Sequence, residues 1–311
     1  MKHVVITGAD GFIGSHLTKH FIAHNYFVYA IVSPMSQTTH RIQDLEHVCV
    51  IAEDLNNYAA ISKKIPDSPI AFFHLAWAGV SPEERQSTIF QAENISLSLY
   101  AVQLAHLLHA KRFIFPGSTL EYSYCGQLIN DSARPSPQNA YGATKISARY
   151  LCESLCHELD VPYIYVVITG IYGADRIDNN VITYTIRSLL LYKKPQYTKL
   201  EQLWDYIHID DLTDALLYIA QKGKAGSFYS VGHGDNWPLR NYIEVIHNLI
   251  DPSLPIGIGE IPYTSDIIPS SCIDLTALRN DTGFSPRIPF EYGIKGVIDT
   301  MRKQIKECKE N

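Results

Sequence analysis

An apolar strand that runs through three glycines straight into an amphipathic helix constrains this chain more than any other feature. The run is Lys2-His3-Val4-Val5-Ile6-Thr7, then Gly8-Ala9-Asp10-Gly11-Phe12-Ile13-Gly14, then Ser15-His16-Leu17. The spacing is GxxGxxG. Gly8 permits the tight turn out of the strand, Gly11 lets backbone approach a pyrophosphate, and Gly14 lets the helix lie close to the strand. The first turn of that helix then aims its free amides at the phosphates. A glycine triplet alone would serve equally as a structural turn; set between a strand and a helix, it predicts a dinucleotide site made by Gly8, Gly11, Phe12, Ile13 and Gly14.

The rest of the chain continues the alternation. Strands are expected at 3–7, 27–32, 48–51, 70–75, 112–116 and 162–168, with helices at 13–24, 83–109 and 139–159 between them, the rhythm of a parallel sheet. The pattern then loosens: a helix at 181–193, a strand at 205–208, a helix at 210–221, a strand at 227–231 and a helix at 239–250. Residues 252–274 are punctuated by Pro and Gly, which suits loops over a pocket. The expected fold is α/β, a doubly wound parallel sheet with a smaller C-terminal substrate part.

Composition narrows the partners. With 311 residues, 46% of them hydrophobic and 19% charged, the chain can bury a large core. No apolar run reaches the roughly 20 residues of a membrane span, and the start reads as a strand rather than a cleavable signal, so the expectation is a cytoplasmic protein without a membrane partner. Net charge is −6 and no basic block is present, which argues against nucleic acid. Cys49, Cys125, Cys152, Cys156, Cys272 and Cys308 form no CxxC pair and read as reduced, buried thiols. The histidines are dispersed, His106 and His109 read as surface residues, and no metal site is expected.

Tyr141 and Lys145, in Pro137-Gln138-Asn139-Ala140-Tyr141-Gly142-Ala143-Thr144-Lys145, carry the chemistry. Residues four apart share a helix face, so the Lys145 ammonium can stabilise a Tyr141 phenolate and let the phenol trade protons near neutral pH. A bare YxxxK is commonplace on helix surfaces; the glycine loop is what gives this one weight.

With those residues in view, the chain resembles the extended short-chain dehydrogenase/reductases, the NAD-dependent epimerase/dehydratase family, over nearly its whole length. Further matches are Asp54-Leu55, which the resemblance places at the adenine, and His74-Leu75-Ala76 along the cofactor. Tyr172-Gly173, Asp205-Tyr206-Ile207-His208-Ile209-Asp210-Asp211 and Phe228-Tyr229-Ser230-Val231-Gly232 also match. The resemblance implies a Rossmann domain at 1–169 with 204–232 returning to it, a substrate part at 170–203 and 233–311, cofactor contacts at Thr169 and Ile171, and a nucleotide-sugar substrate. It also implies a homodimer built from the helices at 83–109 and 139–159. Ser118 falls where the family holds the reacting sugar oxygen, completing a catalytic set with Tyr141 and Lys145.

Departures from the family pattern then choose among its reactions. Dehydratases carry Asp then Glu after that serine; here Thr119 and Leu120 follow, and neither can protonate a leaving hydroxyl or take up the adjacent proton. Glu121 is either a substrate contact or a salt-bridged loop acid. At the end of the second strand an acid would hold the ribose diol of NAD, but the chain has Ile31-Val32-Ser33-Pro34, with Ser33 and Arg41 as donors for a 2′-phosphate; NADP(H) is favoured and NAD(H) remains possible. An R-x-x-N pattern is replaced by Val167 and Gly170, and Trp204 stands where an Arg is usual, either stacked on a base or filling the core. Arg176, Asn180 and Arg187 are candidate phosphate ligands. The expectation is an NADP(H)-dependent reductase of a 4-keto, 6-deoxy nucleotide sugar. An NAD-retaining 4-epimerase is the alternative, and a non-catalytic dinucleotide sensor the reading from another class.

Overall fold

The sheet is built as the strand pattern requires. In a computed structural model that describes residues 1–122, 128–176, 180–263 and 272–310, with side chains to 307, seven parallel strands form one sheet. Six are β1 (His3–Thr7), β2 (Phe27–Val32), β3 (Val48–Ala52), β4 (Ala71–His74), β5 (Phe113–Ser118) and β6 (Tyr163–Ile168). The seventh, Phe228–Val231, lies outside β6, and the order is seventh, β6, β5, β4, β1, β2, β3. The chain direction of winding reverses between β1 and β4, the switch point where such sheets bind ligands. β6 is buried at every position, as expected of a central parallel strand covered on both faces.

Helices α1 (Phe12–Ala23), α2 (Tyr58–Ser62), α3 (Thr88–Leu107), α4 (Ala140–Glu158) and α6 (Ile209–Lys222), with α5 (Val181–Leu190) between the last two in sequence, follow the strands. α3 and α4 pack on each other, and α1 packs on α6. The expected helix at 83–109 is divided: a 3-10 turn at Glu84–Gln86 is followed by Ser87 in extended conformation (ψ 98°), and only then does α3 begin. The expected strand at 205–208 is found as Tyr206–His208, and a separate short strand, Leu203–Trp204, precedes it. The two belong to different ladders, Leu203–Trp204 pairing antiparallel with Trp237–Pro238 and Tyr206–His208 parallel with Gly170–Tyr172, with Asp205 between them.

A second apolar cluster sits beyond the sheet. Ile182, Ile186, Tyr206, Tyr242, Phe290 and Ile294 are its centre, drawn from α5, α7 (Leu239–Ile250) and α9 (Phe290–Glu310). Ile273, Leu275, Leu278 and Phe284, around α8 (Thr276–Thr282), join the sheet's cluster instead. α9 was not expected from the sequence, although Phe290, Ile294, Val297, Ile298 and Met301 form a buried stripe at helical spacing. Of the segment 252–274, Gly257–Ile258 pairs with Gln196–Tyr197, and 264–271 lies outside the described residues. Among the described residues no helix is long and apolar enough to cross a membrane.

Candidate active site

The glycine loop stands at the switch point. Gly8 has φ +64°, and a side chain there would put Cβ 2.8 Å from the Ala76 Cα, so the loop and the end of β4 meet backbone to backbone. A Cβ on Gly14 would fall 2.1 Å from the Gly8 carbonyl oxygen, so helix and loop touch only because Gly14 has none. Gly11 caps α1 without any side-chain hydrogen bond. The first-turn amides are therefore left for an anion, and the half-buried Phe12 and Ile13 flank them, a cradle that fits a dinucleotide pyrophosphate. Buried His74 braces the strand ends: its Nδ1 is 2.9 Å from Thr7 Oγ1 and its Nε2 is 3.0 Å from Ser98 Oγ, while the Ala76 amide donates to the Thr7 hydroxyl. Burial, with the Lys145 charge adding to it, lowers the His74 pKa to about 3, so the ring is neutral. Leu75 and Ala76 are half-buried beside it.

At the end of β2 the structure departs from the sequence reading. Ser33 is exposed, and its hydroxyl accepts from the Met35 amide at 3.2 Å. Arg41 donates to the Asp10 carbonyl at 3.4 Å. The Asp10 carboxylate accepts hydrogen bonds from Ser36 and, at 3.2 Å, from Thr39. An acid does stand here, delivered by the glycine loop rather than by the strand. Asp54 is exposed after β3 with Leu55 buried beneath it. Thr169 donates to the Asp205 carbonyl at 2.7 Å, and the Ile171 carbonyl accepts from Arg176.

Tyr141 and Lys145 lie in the first turns of α4, which starts where it does because the Asn139 side chain accepts from the Gly142 amide at 2.8 Å. Ser118 ends β5 beside them. Burial pushes the Tyr141 phenol up to about 12, while the Arg85 charge and a hydrogen bond with Ser118 pull it down. Lys145 is buried, donates to the Pro116 carbonyl at 3.1 Å, and holds its Nζ 3.6 Å from the centre of the Trp77 ring but 5.9 Å from that of Tyr141. Burial lowers its pKa to about 7. The charge that pulls the phenol down is that of Arg85, whose guanidinium carbon is 5.3 Å from the ring centre, while the Lys145 ammonium lies over Trp77. Sequence reasoning missed both Arg85 and Trp77, because nothing in the spacing of the 77–86 segment shows that it folds back onto α4.

Glu121 is neither a substrate contact nor a salt-bridged loop acid. It is fully buried, one carboxylate oxygen accepting the Ser118 amide at 2.6 Å and the other the Tyr165 hydroxyl. Burial raises its pKa to about 7 against those two hydrogen bonds. A side chain at Gly117 would strike the Tyr165 hydroxyl, so that glycine makes room for the buried pair. Thr119 is buried in the 3-10 turn Thr119–Tyr122. The Glu121 carboxylate is thus turned to Ser118 and Tyr165, although its charge still raises the Tyr141 pKa.

The other substrate candidates are spread out. Asn180 caps α5 with its side chain, accepting from the Ile182 and Thr183 amides, and Arg187 is exposed in the last turn of the same helix. Trp204 leans on Tyr206, its ring nitrogen buried without a partner among the described residues. A cleft of about 450 Å3 runs past Asn180, Tyr184, Gln196, Thr198 and Gln202. It contains neither Tyr141 nor Lys145, so the cleft and the chemical centre are separate features. His106 proves half-buried, bonded to the Leu159 carbonyl at 3.0 Å. Cys152, Cys156 and Cys272 are buried and in no disulfide, and Cys49 is half-buried, whereas Cys125 and the Cys308 side chain lie outside the described residues. His20, His24 and Asp214 bring ligand atoms within 4.8 Å of one another, a proximity the sequence spacing hid; Asp214 is already paired with His20 at 2.9 Å and with Arg287.

A dinucleotide cradle at the switch point, with a Ser-Tyr-Lys group at the ends of β5 and α4, defines an enzyme dependent on a nicotinamide dinucleotide. The chain belongs to the NAD dependent epimerase/dehydratase family, whose model matches residues 4–232. It is 24% identical to a CDP-abequose synthase of Salmonella muenchen, the match covering 96% of this chain and 97% of that one. It is 26% identical to a dTDP-D-glucose 4,6-dehydratase of Dictyostelium discoideum over 75% of this chain, and that match spans only 58% of the relative. The fold is shared with a UDP-N-acetylglucosamine 4-epimerase of Methanobrevibacter ruminantium at TM-score 0.85 and 23% identity, covering 97% and 99% of the two chains. It is also shared with a UDP-glucuronic acid 4-epimerase of Bacillus cereus, solved with UDP-glucuronic acid and NAD, at TM-score 0.83 and 19% identity, with the same coverage.

Proposed function

We propose that the protein reduces the 4-keto group of a nucleotide-linked 6-deoxy sugar with NADP(H). The observation that carries this reading is the end of β5: Ser118 meets Tyr141, Thr119 and Leu120 follow, and the acid next in line, Glu121, is sealed in the core. Elimination of water needs an acid and a base at that place, and ketone reduction needs only a proton donor. The full-length similarity to a CDP-abequose synthase supports a nucleotide-linked deoxysugar.

In this reading bound nicotinamide supplies the hydride. Ser118 orients the carbonyl, Tyr141 gives its proton to the carbonyl oxygen, and Lys145 holds the ribose and adds positive charge behind the phenol. The glycine loop with Phe12 and Ile13 holds the pyrophosphate. Ser33 and Arg41 receive the 2′-phosphate, Asp54 and Leu55 the adenine, and Leu75, Ala76, Thr169 and Ile171 line the cofactor channel. Asn180 and Arg187, in the substrate part formed by residues 170–203 and 233–311, serve the nucleotide end together with Trp204 at its border. α3 and α4, which leave Ile89, Tyr150 and Leu151 exposed, form the face of a homodimer.

The test is to add NADPH and CDP- or dTDP-linked 4-keto-6-deoxyglucose to the purified protein. NADPH absorbance should fall one for one with the keto sugar. One observation favours a second reading, an NAD-retaining 4-epimerase: Asp10 stands near the end of β2, where a carboxylate suits a ribose diol. Epimers formed from a 4-hydroxy sugar nucleotide without added NADPH would establish that reading and remove the first.

A further inference from the structure

Beyond its pull on the Tyr141 phenol, Arg85 has no part in the proposed chemistry, yet it is built into the site. It sits in the turn Glu84–Gln86, between β4 and α3, and places its guanidinium over the Tyr141 ring. The loop that carries it is clamped from below by two buried amides of α3. Gln91 accepts from the Trp77 ring nitrogen at 3.0 Å and donates to the Gly79 and Glu84 carbonyls at 2.6 and 3.2 Å. Asn94 accepts from the Ala78 amide at 2.8 Å and donates back to the Ala78 carbonyl. Both side chains are essentially inaccessible to solvent. Satisfied buried networks of this kind fix a conformation, so Arg85 is held where it is rather than resting there.

One of its donors is nevertheless unpaired. The Arg85 Nε is buried with no hydrogen-bond partner among the described residues. Glu84, the adjacent acid, spends its carboxylate on the Ser81 amide at 3.2 Å. A guanidinium N–H buried without an acceptor is costly, whereas stacking on Tyr141 alone would leave no such demand. An oxygen-bearing molecule brought against the Tyr141 hydroxyl would meet these donors at once.

On the reading that the substrate is a nucleotide sugar, we infer that Arg85 is a specificity-determining residue that hydrogen-bonds oxygens of the sugar itself, at the end of the substrate away from the diphosphate. Position supports the sugar end: Arg85 overlies the residue that must meet the reacting carbonyl, while the open cleft beside Asn180 and Gln196 lies in the other half of the molecule.

The test compares wild type, Arg85→Met and Arg85→Lys by titration calorimetry with NADP+ present, using CDP- and dTDP-linked 4-keto-6-deoxyglucose and the bare nucleotides CDP and dTDP. Arg85→Met should weaken the sugar nucleotide by roughly 10- to 100-fold, the range of a hydrogen bond to a charged donor. Bare nucleotide and NADP+ should bind as before, KM should rise more than kcat falls, and Arg85→Lys should restore part of the loss. Equal weakening of bare and sugar-linked nucleotide would move Arg85 to the diphosphate and overturn the inference. Unchanged binding of both would leave it a packing residue, again overturning it. A wild-type protein that binds and turns over no sugar nucleotide would defeat the underlying functional reading, and this inference with it.

Discussion

The two cores of this protein are fastened in different ways. The sheet core is held by one parallel register running from strand to strand, which ties β1 to β4 along its length and β4 to the start of β5. The second core, around α5, α7 and α9, is tied to it at points. The buried Asp205 carboxylate accepts the amides of His233, Gly234 and Asp235 at 2.8–2.9 Å and that of Asn236 at 3.4 Å. Asp211 accepts the amides of Arg287 and Ile288 at 3.0 and 2.8 Å. Burial pushes the Asp205 pKa up to about 6 even against those four donors. Distributed bonding keeps reacting groups in place; point attachment leaves the other half freer to settle on a ligand.

If that contrast holds, changes in the first half should alter chemistry while stability survives, and changes at the latches should do the reverse. Tyr141→Phe keeps the ring against Trp77 and removes the proton, so turnover should fall by about 10^2 to 10^4-fold, with melting temperature and cofactor affinity nearly unchanged. NADPH oxidation and a thermal scan measure both; near-normal turnover would remove Tyr141 from the chemistry.

Asp205→Ala should be the strongest blow to the second half. It orphans buried amides, and the expected loss is on the order of 3 kcal/mol, read by denaturant unfolding. Hydrogen exchange should localise the loosening to 233–236 and the neighbouring α7. A variant as stable as wild type would show that the latch is dispensable and that apolar contact alone joins the halves.

Ser33→Asp sharpens the picture at the cofactor end. A carboxylate facing a 2′-phosphate should cost one to two decades of NADPH affinity, about 1.4–2.8 kcal/mol, and leave NADH binding intact or better. Tighter NADH than NADPH binding by the unaltered protein would refute the premise.

The smallest effect concerns pH and Glu121. Its folded pKa, about 7, is raised from 4.5 by burial. Its contribution to stability is therefore complete below about 4.5 and lost as pH rises through about 7. Lys145, lowered from 10.5 to about 7 by burial, runs the other way: its cost is greatest below about 7 and is relieved toward 10.5. Glu121→Gln can still accept from the Ser118 amide and pair with Tyr165 without titrating. Between pH 5 and 7 the melting temperature of wild type should thus decline relative to this variant; a constant difference across that range would mean that Glu121 does not titrate there.

How much of this was legible beforehand follows the same division. The alternation of apolar strands and helices from 3 to 168, the glycine loop and the Tyr141/Lys145 spacing all depend on neighbours close in sequence, and they marked out the sheet. The reach of Arg85 to Tyr141 and the turning of Glu121 to Tyr165 join residues dozens of positions apart, and no periodicity records them. α9 is a different case: its apolar stripe was there to be read.

By itself, then, the sequence determined a doubly wound sheet, a dinucleotide loop and a tyrosine and lysine on one helix face, because turn geometry, helix period and strand burial are local properties. Tertiary structure alone decided which charges those residues feel. The electrostatics of a buried site falls off with distance in space rather than along the chain, so Arg85, Glu121 and Asp10 took their roles only once the loops had closed over Tyr141 and the end of β2.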